Sequence, residues 1–187
     1  QVFVDLSLNR QTNVERISWD LGFYNGNEDK VIVNFSTFSM AYQLDKTDMS
    51  EVTAADTTGL SGVVTIGTVG SHIYIDHPDG DLNKLVMKDI STVDDENKVY
   101  IINRGGGPGD GRNPVATTPL GWKKVRVLKR DGNYLLQYAD IDASGFEEVT
   151  ISKSANVNFN YISLTTGSSA TVEPESAKWD LVFSISS

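Results

Sequence analysis

The sequence predicts an all-β domain, an antiparallel β-sandwich with little helix, and three observations carry that reading. Segments in which apolar and polar residues alternate dominate the chain, separated by turns rich in Gly, Asn, Asp and Pro. Two such segments, "WKKVRVLKR" and "NYLLQYADI", flank Asp131-Gly132, a dipeptide suited to the positive φ of a tight hairpin turn. Finally, "WDLGF" at Trp19 to Phe23 returns as "WDLVF" at Trp179 to Phe183 with matching flanks. Each copy follows an aromatic and β-branched run, a polar turn, Val-Glu and a polar spacer, which marks a repeated supersecondary unit.

The elements follow in order. "ISWDLGFY" places Trp19, Leu21 and Phe23 on one face of a strand and Asp20, Gly22 and Tyr24 on the other. "DKVIVNF" pairs back on it through the turn-rich link "NGNE". "LDKTDMSEVTAAD" carries Asp and Thr start signals and predicts a short helix. "GVVTIG" and "HIYID" read as strands, with "HPDGD" leading on to "LNKLVMKDI", and "KVYIINR" is a further strand. "GGGPGDGRNPVATTPLG" holds no regular structure and reads as a surface loop of functional character. After the Asp131-Gly132 hairpin, "FEEVTIS", "VNFNYISL", "ATVE" and "KWDLVFSIS" complete the strands.

The 187 residues suffice for a sizeable core without covalent staples. A net charge of −9 argues against a nucleic-acid partner, because phosphate binding needs a clustered positive face. The cations from Lys123 to Arg130 are interrupted by Val125, Val127 and Leu128, as on a solvated strand face. With no cysteine there is no disulfide, thiolate nucleophile or Cys-based metal site. No run has the length of a membrane span, and the opening lacks the regions of a signal peptide. A start inside a strand-like run is expected of a mature or trimmed form of an exported protein.

Chemical motifs are few. The Gly-rich loop fails as a phosphate cradle, since Asp110 stands where G-x-G-x-x-G needs its third glycine. "DHPDGD" gathers Asp76, Asp79 and Asp81 around Gly80, an oxygen-rich turn of the kind that holds calcium, but without EF-hand spacing it reads as an Asx turn. Only His72 and His77 could serve a catalytic triad, and no nucleophile motif accompanies them, so the chain reads as a non-enzyme. Imidazole and thioether are neutral axial ligands of haem iron, which makes His72, His77 and the three methionines candidates, although Met40 and Met87 in their apolar settings read first as core fillers. On one continuous strand His72 and His77 would point to opposite faces; they could share an iron only if the strand ended between them, at Asp76.

The ordered set "FVDLS", "VERISWDLGFYNG", "VIVNFS", "LDKTDM", "KVYIINRG", "GWKKVRVLKRDGNYLLQYADI" and "VEPESAKWDLVFS" resembles the HmuY family of Bacteroidetes haem-binding lipoproteins over nearly the whole chain. The resemblance implies a mostly β protein, secreted or anchored at the outer membrane through a lipid outside this chain. It implies a hemophore that takes haem from host haemoproteins and hands it to a TonB-dependent receptor. The family's axial-ligand places fall here on Asp81, after the Pro-Asp-Gly turn, and on Asn103 or Arg104, and none of these supplies the family's histidine. Met87, near the first place, and His77, before the same turn, are the substitutes for the iron. Arg104 is a candidate for a haem propionate, since a guanidinium pairs bidentately with a carboxylate.

The resemblance also divides the chain, with residues 1–155 as the HmuY-like domain and 156–187 as a second copy of the opening unit. That copy either folds back into the same sheet or starts another module. In the second case "WDLVFSIS" would be an apolar edge that invites homo-oligomers. The rival reading is a glycan- or protein-binding module in which Trp122, Tyr134 and Tyr138 stack on a partner.

Overall fold

The computed structural model describes residues 1–107 and 118–184. The fourteen strands described are β1 (Val2–Asp5), β2 (Arg10–Asn13), β3 (Leu21–Tyr24), β4 (Val31–Val33), β5 (Met40–Gln43), β6 (Tyr100–Asn103), β7 (Gly106–Gly107), β8 (Thr118–Pro119), β9 (Trp122–Arg130), β10 (Asn133–Asp140), β11 (Glu147–Ile151), β12 (Phe159–Ser163), β13 (Ser168–Ala170) and β14 (Leu181–Phe183). All pairings are antiparallel. They build a five-stranded sheet β11-β10-β9-β6-β5, a four-stranded sheet β13-β12-β3-β4, a three-stranded sheet β14-β1-β2 and the small β7-β8 pair. The fold is therefore all-β and sandwich-like, as the alternation predicts.

Burial shows how the layers stack. Leu21, Phe23, Val31, Val33 and Ile162 of the four-stranded sheet share one core with Tyr100, Ile102, Val125, Tyr134 and Leu136 of the five-stranded sheet. The opposite face of the five-stranded sheet, with Met40 and Ile101, is covered by Leu60, Val64 and Ile75 from an irregular segment. The three-stranded sheet packs outside the four-stranded one through Phe3, Trp19, Tyr161 and Val172. Strand β6 displays the period-two logic directly, since Ile101 enters one core while Tyr100 and Ile102 enter the other.

Several elements differ from the sequence expectation. "LDKTDMSEVTAAD" forms two 3-10 turns, Met49–Glu51 and Ala54–Thr57, each with its own Asp hydrogen-bonded to backbone: Asp48 accepts from Ser50 N and Asp56 from Thr53 N. The Asp and Thr signals thus cap turns too short for a helix. "GVVTIG" and "HIYID" are not strands. The first is a run of turns, and the second contains a 3-10 turn, Ser71–Tyr74. Glycines with positive φ at Gly59, Gly67 and Gly70 bend this segment, and only alternate parts of it reach the core: Leu60, Val64 and Ile75 are buried while Ile66, Val69 and Ile73 are exposed.

Trp19 also departs from the predicted face. The chain bends at Asp20, so Trp19 leaves the side of Leu21 and Phe23 and packs edge-on against Tyr161, with ring centroids 4.8 Å apart. Tyr161 is the cross-strand partner of Gly22, on the other side of β3. A Cβ at Gly22 would lie 2.8 Å from Ile32 Cγ1 and 3.1 Å from Tyr161 Cε1, so the glycine makes room for this second face.

The expected hairpin of β9 and β10 is present with Asn133 opposite Arg130, and Asp131 and Gly132 both have positive φ. Its cations are not merely a solvated face. Lys124 is buried and its ammonium donates to Val52 O and Ala143 O, while Lys129 pairs with Asp29 and Arg130 with Asp94. These contacts tie the hairpin to flanking loops.

The two repeated units are joined by a reciprocal pairing. Each unit is a hairpin followed by a third strand: β1-β2 then β3, and β12-β13 then β14. The third strand of each pairs with the first strand of the other, Leu21 opposite Ile162 and Leu181 opposite Val4. The contacts match atom for atom. Asp20 N donates to Ile162 O and Asp180 N to Val4 O, while the Asp20 carboxylate accepts from Leu164 N and the Asp180 carboxylate from Leu6 N. Trp179 meets Phe3 edge-on at 5.1 Å, as Trp19 meets Tyr161.

Candidate functional site

The most apolar cleft described on the surface lies beside the four-stranded sheet, between the Ser71–Tyr74 turn and the segment 77–86. It measures about 560 Å³, and its lining includes His72, Ile73, Ile75, His77, Leu85 and Val86 together with Pro78 and Lys84. That volume falls within the range of roughly 300–1,000 Å³ typical of small-molecule sites, and so does a mostly apolar lining with few polar groups.

Local chemistry places both imidazoles here. The 3-10 turn ends at Tyr74 and Ile75 is extended, so the stretch from His72 to His77 is not one strand. Strand alternation no longer applies, and both histidines line the same cleft. Asp76 fixes the segment between them: Oδ2 accepts from Val33 N at 2.8 Å and Oδ1 from Val86 N at 2.9 Å, clamping it to β4 on one side and to the far wall of the cleft on the other. Burial pushes the Asp76 carboxyl up to about 6, against the two amide hydrogen bonds that favour its charged form.

His77 opens a compact turn that returns at Lys84, where His77 N donates to Lys84 O at 3.1 Å. His77 Nδ1 lies 2.9 Å from Asp79 Oδ1, an orienting contact that leaves Nε2 as the ring nitrogen for a ligand. The Lys84 ammonium reaches Asp79 Oδ2 at 2.5 Å and Asp81 Oδ2 at 3.6 Å. That ammonium holds the Asp79 carboxyl well below the usual carboxylate range, helped by the Asp81 amide. Asp81 in turn accepts from Asn83 N and Nδ2. Of the "DHPDGD" carboxylates, Asp79 and Asp81 therefore serve an Asx-type turn while Asp76 clamps the segment, and among the described residues no group of three or more acidic or His side chains is arranged to hold a metal ion.

The other expected ligands lie elsewhere. Met87 follows the cleft-lining Val86 but turns inward, 1% exposed in the main core beside Leu21, Phe23 and Tyr100. Met40 is likewise buried, on the far face of the five-stranded sheet. Arg104 is buried and fully engaged: Nε and Nη2 donate to Asp20 at 2.7 and 3.2 Å, Nη1 to Leu120 O, and Nη2 also to Thr165 Oγ1. Asn103 donates to Val64 O and accepts from Gly105 N. Residues 108–117 of the Gly-rich loop lie outside the described residues, while its ends close as the β7-β8 pair.

The aromatic platform of the rival reading is not assembled. Tyr134 is 1% exposed, its hydroxyl donating to Tyr24 O at 2.7 Å, and Trp122 and Tyr138 pack on opposite faces of the five-stranded sheet. Sequence reasoning overlooked Ile73, Ile75 and Leu85 as lining residues because a strand assignment for "HIYID" concealed the turn. The glycines at 67 and 70, before an apolar stretch bounded by Asp76, were the signal that could have shown it.

Comparison with known proteins gives one match. The sequence model of a family described as HmuY protein matches residues 1–140. No curated protein and no solved structure matches the chain.

Proposed function

The chain belongs to the HmuY family, a haem-binding and non-enzymatic family, and from that premise we propose that it captures haem in the His72–His77 cleft. The observation that carries the proposal is the convergence of two imidazoles on one apolar cleft, which sequence spacing alone would have kept apart. Haem iron accepts neutral nitrogen ligands, and a porphyrin face needs apolar walls such as Ile73, Ile75, Leu85 and Val86. The residues present therefore fit the group. His77, oriented through Nδ1 by Asp79, and His72 are the axial candidates. Lys84 is the cation of the lining, and a propionate would share it with Asp79. Met87 could act only by leaving the core, so it ranks below the histidines, and Arg104 holds the fold together through Asp20.

The proposed role is capture and release of haem, with no chemical change to the porphyrin. The family context supports delivery of haem from host haemoproteins to a TonB-dependent outer-membrane receptor, by a protein at the cell surface or secreted. Among the described residues no helix is long and apolar enough to cross a membrane, and a lipid outside this chain would supply any anchor.

Titration with haem tests this. Saturable binding with a shifted Soret band is expected, and His77→Ala or His72→Ala should change the band and weaken binding at least about tenfold, the loss of one ligand's ~1.4 kcal/mol. Met87→Leu should leave the band in place. A flat titration, or a band indifferent to both histidine variants, would remove the proposal.

A further inference from the structure

A second cavity adjoins the His72–His77 cleft, and its lining holds polar atoms that the chain leaves without partners. It measures about 280 Å³, against about 560 Å³ for the cleft, and His77 and Leu85 line both. Ile32, Phe35, Leu82 and Phe159 give it apolar walls, with the Trp19 ring beside them. Among the described residues three buried side-chain polar atoms lack a hydrogen-bond partner, and two of them, Gln1 Oε1 and Trp19 Nε1, belong to side chains of this lining. Folded proteins pair nearly all such atoms, so each exception asks for a partner.

The same lining holds a carboxylate without a countercharge. Asp76 is mostly buried, and the nearest cations are engaged elsewhere, His77 with Asp79 and Lys84 with Asp79 and Asp81. Val33 N and Val86 N take one site on each Asp76 oxygen, and a carboxylate offers about four. Burying a charge unpaired is costly, and a cation beside it offsets that cost. We propose that this cavity binds a small organic ammonium ion, a protonated amine on an apolar body, whose N–H groups reach Asp76 and Gln1 Oε1. Gln1 Nε2 already donates to Ser184 Oγ at 3.2 Å, so the amide oxygen is the end left for a donor. The walls suit the same charge, because the face of an indole or phenyl ring attracts an ammonium. An oxygen on the ligand would find its donor in Trp19 Nε1. There is room for a ring, since an apolar cavity of about 150 Å³ holds benzene. An anion would meet Asp76 and a net charge of −9. A metal ion needs a shell of oxygen ligands, and among the described residues no group of three acidic or His side chains supplies one.

Calorimetric titration of the whole chain without haem, at neutral pH in an amine-free buffer, tests the proposal independently of haem capture. Phenethylamine, phenethyl alcohol and phenylacetate present one ring with a positive, a neutral and a negative end. Saturable binding of the amine is expected, with the alcohol at least about tenfold weaker and the carboxylate silent. Asp76→Asn should bring the amine down to the level of the alcohol. Because Asp76 also clamps the fold, Leu82→Trp serves as the second variant: it fills the cavity, leaves the clamp in place and should abolish binding of both. Near-UV circular dichroism checks that each variant keeps its packing. A wild-type chain that binds no amine, one that binds amine and alcohol equally, or amine binding indifferent to Leu82→Trp in a folded variant would overturn the proposal.

Discussion

Arg104 and Asp20 form the most deeply embedded charged pair described, and their geometry accounts for why the second residue of the repeated "WDLGF" is polar at all. The Asp20 carboxylate accepts from the guanidinium and from Leu164 N, so it joins β3, the β6–β7 link and the end of β12 at one point. Removing one partner strands a buried charge, which typically costs about 3–5 kcal/mol. Arg104→Ala should therefore lose stability of that order in urea unfolding, while the folded fraction binds haem with an unchanged Soret band. A changed band with unchanged stability would instead make Arg104 a ligand contact. Asp76 gives the pH prediction. Its folded-state carboxyl titrates near 6 instead of the ordinary 3.8, so the fold binds its proton more tightly than the unfolded chain does. The associated stability is fully present below about pH 4 and lost as pH rises through about 6. Stability should accordingly decline from this group between those limits, and Asp76→Asn should remove that share of the slope. A carboxyl NMR titration with its midpoint near 4 would contradict this.

At the scale of elements, legibility followed how local the forces were. The β9-β10 hairpin was readable because Asp131-Gly132 supplies two positive φ values and the flanking residues alternate without interruption. The β3-β4 pair was readable from the polar, turn-rich link "NGNE" between two apolar runs. The segment 59–76 was not, since its β-branched residues favour strands while its glycines favour turns, and the outcome was settled by the covering role of Leu60, Val64 and Ile75 over Met40 and Ile101. The site suffered from the same conflict. His72 and His77 were visible as candidates, but their meeting depends on a turn created by long-range packing and on Asp76 reaching Val33 and Val86. Met87 looked available because "LVMKDI" gives no sign of which residue faces the core. Arg104 looked available because its acceptors lie 84 and 61 residues away, on Asp20 and Thr165.

For the whole molecule, the extent of the family match and the extent of the folded core differ, and the difference has a physical consequence. The match ends at residue 140, yet β12 pairs with β3 through Leu21 to Tyr24 and contributes Ile162 and Leu164 to the main core. Residues beyond 155 also supply Leu164 N to Asp20, Thr165 to Arg104 and Tyr161 to the stack on Trp19. The second unit is thus interleaved with the first, and a fragment of residues 1–155 would open one edge of β3 and bare Leu21, Phe23 and the Asp20–Arg104 pair to water. Domains of this size keep a net stability of only about 5–15 kcal/mol. Losing two large core side chains at about 2–5 kcal/mol each, with a buried ion pair opened besides, is a loss of the same size as that whole stability. The fragment 1–155 should therefore lack a cooperative thermal transition and a dispersed NMR spectrum, whereas the whole chain should show both. A fragment that melts cooperatively and binds haem would show that the opening 155 residues hold their own sheet, with β12 an accessory strand.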